Sequence, residues 1–292
     1  MGNDKESCPL TTGFTEVRIP RSANAELAVQ LYKDLQSHYH WTPETAWHGI
    51  ARLLLSCEVY RLRWEPFRNV VTYVDSNRFT SGGSGPHKTL RQAENLTTYL
   101  ATQLNVEPQE LCRNIGIYWQ HPNIREVQPN NLLGHAFRSL ITTALAQFGD
   151  AGIQYDEEVD PRSEFPGHSF PTRSTNARID IVARRGAHTV ALLGVRWRIR
   201  HNRLGVLADA LAYTPALHRD NQNGKFYAVL GEFDGGRLRK VLANCSPSIP
   251  NGAISAAVHF APQLIREGLE ENGTLEHLRS LSWLIGETFH WK

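Results

Sequence analysis

Lysine, clustered cysteine and long apolar runs are what this chain of 292 residues has little of. No stretch of about 18 apolar residues occurs, which excludes a hydropathic membrane span. The opening residues, MGNDKESCPLTTGF, place no apolar segment behind basic ones, so no secretory signal is read there. The four cysteines, Cys8, Cys57, Cys112 and Cys245, stand far apart without metal-ligand spacing. That argues against a disulfide framework or a cysteine-held metal and for a soluble protein of the reducing cytoplasm. A net charge of +2 singles out no class of partner. Only six of the 31 basic residues are lysine. Hydrophobic residues make up 41%, enough for a sizeable core. At about 150 residues per domain, the length suits one large domain or two modest ones.

Two regimes succeed one another along the chain. Residues 1–126 read as a mostly helical N-terminal region. Leu27, Leu31 and Leu35 recur at helical spacing. Thr42, Pro43 and Glu44 form a helix start, with a cap, a proline and an acid, and the helix runs to about Tyr60. A short strand is expected over 69–74, a flexible SGGSG loop within 76–86, a third helix over 87–104 and a fourth from about Val106. Residues 127–292 change pattern. A helix is expected over 132–148 and strands over 153–159 and 176–184. Gly186 then turns the chain into a β-rich run over 188–199. A helix over 204–217, a strand over 225–232, a short helix to Leu242 and a strand over 256–260 come next, with two closing helices from about Pro262 and Leu275. This alternation predicts an α/β (α+β) fold, a mixed central sheet flanked by helices.

Charge is distributed unevenly. From Arg173 to Arg203 there are eight arginines and one acid, Asp180. Arginine offers a rigid fork of donors that matches phosphates and guanine edges, so this stretch points to double-stranded DNA. A coding bias toward arginine, or a solvated face, would leave the same composition. Arg196, Arg198 and Arg200 alternate along one strand and share a face, with His201 and Arg203 at the start of the next loop and helix. The candidate DNA contacts are Arg173, Arg178, Arg198, Arg200, His201 and Arg203. Trp197, opposite Arg196, reads as core. His48, His135 and His259 read as structural.

Metal-assisted phosphodiester hydrolysis needs oxygen ligands converging on one point and a cation for the scissile phosphate. Asp180 and Arg196, sixteen residues apart, would face each other across a hairpin. Three stretches then carry a resemblance. GHAFRSLI (134–141), ARIDIVARR (177–185) and LLGVRWRIRHNR (192–203) resemble, in order and spacing, the core helix and two active-site strands of the PD-(D/E)XK nucleases, and type II restriction endonucleases among them. The resemblance covers about residues 128–232. It implies Mg²⁺-dependent cleavage by a homodimer on a palindromic site, with Asp180 as metal ligand and Arg196 by the phosphate. Arg138, Gly194 and Arg196 depart from it, standing where a glutamate, an acid or serine, and a lysine are usual. Acids could come from Asp156, Glu157, Glu158 or Asp160, and Glu158 is taken as the second metal ligand and third catalytic residue. Asp156 and Glu158 are expected on one face of their strand, Glu157 and Val159 on the other. The alternative implied by the departures is a catalytically inactive nuclease fold, acting as a DNA-binding subunit or regulator.

Overall fold

The structure, a computed structural model, describes residues 23–59, 62–65, 70–73, 102, 105, 107, 129–197, 199, 205–232, 235–245, 253–260, 262 and 277–292. The SGGSG loop, the short fourth helix, nearly all of the third and of the first closing helix, and Arg198, Arg200, His201 and Arg203 lie outside the described residues. The chain divides into two compact units, residues 1–41 with 48–136 and residues 42–47 with 137–292.

The described elements before residue 129 are α1 (Ala23–Tyr39), α2 (Ala46–Val59), β1 (Leu62–Glu65) and β2 (Val70–Tyr73). Strands β1 and β2 pair antiparallel, Leu62 opposite Tyr73. Helix α2 starts at Ala46, three residues later than a cap at Thr42 suggests. Thr42 instead accepts from Ala46 N–H through its carbonyl, while its own N–H donates to Thr45 Oγ1 at 2.8 Å, closing a turn. In the first unit, Tyr32 is fully buried beside Trp41, their rings 4.7 Å apart.

Beyond residue 129 come α3 (Pro129–Phe148), β3 (Ile153–Val159), α4 (Pro161–Glu164), β4 (Ile179–Arg185), β5 (His188–Arg196), α5 (Gly205–Asp220), β6 (Lys225–Leu230), α6 (Gly235–Leu242), β7 (Ala256–His259), β8 (Leu278–Ser280) and α7 (Leu281–Glu287). The strands form one six-stranded sheet in the order β3-β4-β5-β6-β7-β8. β3, β4 and β5 are antiparallel neighbours, and β5 through β8 run parallel. The mixed sheet with flanking helices expected from the sequence is present.

The β4–β5 turn passes through Gly186 at φ 62°, a left-handed position that costs glycine little. The parallel half reads VALLGV and FYAVL, buried throughout, as parallel strands covered on both faces do. Helix α5 lays Val206, Ala210, Tyr213 and Leu217 against Leu192 and Phe226 in the main core. Trp197 is buried as expected, its ring 5.4 Å from Phe137 and 5.7 Å from Phe260. His48 and His259 are buried too. Strand β8 is a correction. Its three residues fall where the second closing helix was expected, and a run that short shows no alternation; pairing of Leu278 with Ala257 makes it a strand.

Candidate active site

Asp180 is the second residue of β4, at the open end of the β4–β5 hairpin, just past the last paired residues. The paired register runs from Arg185–His188 to Ile181–Leu193. One step beyond, the Val195 N–H donates to Asp180 Oδ2 at 2.8 Å. A carboxylate thus takes a donor that a strand would ordinarily use. Arg196, the last residue of β5, turns its guanidinium back onto the same carboxylate, Nη1 donating to Asp180 Oδ2. Asp180 and Arg196 therefore meet as the hairpin spacing predicts.

The third member comes from α5. Arg196 Nη2 donates to Asp209 Oδ2 at 2.6 Å, and Nη1 also donates to the Val195 carbonyl at 2.8 Å. Arg173 holds the other oxygen of Asp209 and lies over the Tyr213 ring, 5.9 Å from its centroid. Asp209 is the most enclosed of these groups, its side chain 4% exposed against 16% for Asp180 and 29% for Arg196. Burial outweighs the two guanidiniums and pushes its carboxyl up to about 6, with Asp180 adding to the rise.

Gly194 accounts for why the acid stands on a helix. It shares a strand face with Arg196. A methyl group on it would come within 2.7 Å of Val206 Cγ2 and 3.1 Å of the Phe226 ring. The place that a strand acid would occupy is therefore filled by the first turn of α5. Val206 and Asp209 are three apart and lie on one helical face, so the residue that closes over Gly194 also carries Asp209 to Arg196. Sequence reasoning missed Asp209. The signal was available: a lone acid among Val206, Ala210, Tyr213 and Leu217, on the apolar face of an amphipathic helix.

The acids of β3 go elsewhere. Glu158 stands at φ 55°, and this left-handed residue breaks the alternation of the strand. Glu157 and Glu158, expected on opposite faces, both reach Arg138, which donates to them at 2.9 and 2.8 Å. Asp156 pairs with Arg184, which also binds the half-buried Glu164. Arg138 thus engages both glutamates of the strand that was expected to supply metal ligands. Among the described residues, no three His, Cys, Asp or Glu side chains gather around one metal position.

The described arginines of the rich stretch are balanced in space by acids, all but Asp180 from other segments. Arg178 pairs with Asp160 at 3.5 Å and Arg185 with Asp150 at 2.6 Å. With Arg173, Arg184 and Arg196, all five described arginines of the eight have a carboxylate partner. No described helix is long and apolar enough to cross a membrane.

No family model and no curated protein matches the chain. Among solved structures it is similar to a chain of the restriction endonuclease PspGI–substrate DNA complex, with 12% identity over 93% of each chain and a TM-score of 0.39.

Proposed function

We propose that the chain is a Mg²⁺-dependent endonuclease of double-stranded DNA, of the type II restriction class, acting as a homodimer on a palindromic site. The observation that carries the reading is the convergence of three oxygens, from Asp180, Val195 and Asp209, on one cationic group at the end of β5. Hard oxygen donors in that number suit Mg²⁺, which takes one or two carboxylates and completes its shell with water and substrate phosphate. Asp180, Asp209 and the Val195 carbonyl would hold the ion, and bound there it would polarise the phosphate and activate water. Asp209 is favoured over Glu158 as the partner of Asp180, because Glu158 is committed to Arg138.

Arg196 has its own task. A guanidinium keeps its proton, so it serves as a fixed cation for the phosphate and not as a base. Arg198, Arg200, His201 and Arg203, directly after β5, are proposed to contact the duplex together with Arg178.

A second reading, a silent DNA-binding subunit, is favoured by one observation. Arg196 fills the space between the two carboxylates. Incubation with phage DNA and Mg²⁺ separates the two. Discrete fragments on a gel, lost in Asp180→Ala while duplex binding survives, support the nuclease. Sequence-selective binding without cleavage in Mg²⁺ or Mn²⁺ would decide for the silent subunit.

A further inference from the structure

The guanidinium of Arg196 occupies the position that the metal itself would need. Its two terminal nitrogens take up Asp180 Oδ2, the Val195 carbonyl and Asp209 Oδ2 together. These oxygens are not free to swing toward a second cation elsewhere. Asp180 is fixed by the Val195 N–H at 2.8 Å, and Asp209 by Arg173. They stand on β4, β5 and α5, and Asp180 and Asp209 each keep a donor other than Arg196.

We propose that Arg196 is a resident cation that keeps divalent metal out of the free protein, and that the site opens when a DNA phosphate draws its guanidinium away. This rests on the nuclease reading of the same site.

Charge gives the reason for the exclusion. Asp180 and Asp209 are balanced by Arg196 and Arg173, a neutral set of four. A divalent ion entering that set would lie against a fixed guanidinium and find both carboxylates already engaged. Once Arg196 leaves, Asp180, Asp209 and Arg173 carry one net negative charge, and three oxygens have each lost a donor. A phosphate can compete for Arg196, because it offers the same paired oxygens as a carboxylate and accepts the guanidinium fork in the same bidentate way. Arg196 is also the most exposed of the four side chains, 29% against 21% for Arg173, 16% for Asp180 and 4% for Asp209. It is therefore the member best placed to turn outward. Metal and DNA then bind with positive coupling, and by linkage each raises the affinity for the other by the same factor. The free protein would carry no loaded metal with which to attack a passing strand.

Mn²⁺ binding followed by electron paramagnetic resonance tests this on the intact chain, without relying on cleavage. The free wild-type chain should bind Mn²⁺ weakly. Arg196→Met should bind one ion about ten- to a hundredfold more tightly, the usual span of such couplings. Arg196→Lys keeps the charge and guards against loss of the fold. It lacks the fork and should show a smaller gain of the same sign. A short duplex of mixed sequence should tighten Mn²⁺ binding more in wild type than in Arg196→Met, because only wild type has a resident cation to remove. If the free wild-type chain binds Mn²⁺ as tightly as both variants, at a site lost in Asp180→Asn, the exclusion is wrong and the metal site stands. If no form binds at an Asp180-dependent site, with or without duplex, the nuclease reading falls with it.

Discussion

Asp209 allows burial to be weighed against ion pairing in a single measurement. Its side chain is 4% exposed and touches two guanidiniums. Removal from water is nevertheless the larger influence, and the carboxyl titrates at about 6 against an ordinary value of 3.8. The difference of about 2 pH units corresponds to about 3 kcal/mol at roughly 1.36 kcal/mol per unit. Its sign follows from proton counting. Between those two values the unfolded chain has released a proton that the folded chain still holds, so stability falls as pH rises. The favourable contribution is complete below 3.8 and lost once pH passes 6. Asp209→Asn keeps the shape of the neutral acid and has no such proton. The unfolding free energy of wild type minus that of Asp209→Asn should therefore drop by about 3 kcal/mol from below the lower value to above the upper one. Urea denaturation across that pH range, followed by tryptophan fluorescence, measures it. A difference that stays flat, or rises with pH, would mean that Arg173 and Arg196 win over burial and would refute the reasoning.

On the nuclease reading Asp209 must be ionised before metal enters, so cleavage at sub-saturating Mg²⁺ should climb as pH rises toward 6 and beyond, with Asp209→Asn inactive throughout; a rate that does not rise with pH in that range counts against a metal-holding Asp209. Gly194→Ala places a methyl 2.7 Å from Val206, and the overpacking should cost about 1–3 kcal/mol, read as a lower urea midpoint. An unchanged midpoint would show that α5 can shift freely and that Gly194 does not set the position of Asp209. Duplex affinity should fall steeply with salt. At about 0.9 per phosphate contact, a log–log slope of about −4.5 per chain is expected if Arg178, Arg196, Arg198, Arg200 and Arg203 each take a phosphate. A flat response would remove DNA from consideration.

Local chemistry made much of this protein legible in its sequence. Helix α3, strands β3 to β6 and the Gly186 turn follow from periodicity and turn residues, which act over a few positions. The meeting of Asp180 with Arg196 follows too, since a hairpin converts spacing along the chain into adjacency. The burial of Trp197, opposite Arg196, is strand alternation and nothing more. What only the tertiary structure decided is who faces whom across longer separations. Asp209 reaches Arg196 because α5 crosses back over the hole at Gly194, and no period in the sequence encodes that crossing. Glu158 turns to Arg138 because one left-handed residue breaks the alternation of β3. The arginine excess between 173 and 203 looks unopposed along the chain, yet its described members are balanced by Asp150, Asp156, Asp160, Glu164, Asp180 and Asp209. Composition counts charges along a line, whereas Coulomb's law acts through space. The sequence alone therefore settled most of the elements, β8 excepted, and the pairing of Asp180 with Arg196, and packing settled which second acid faces that arginine.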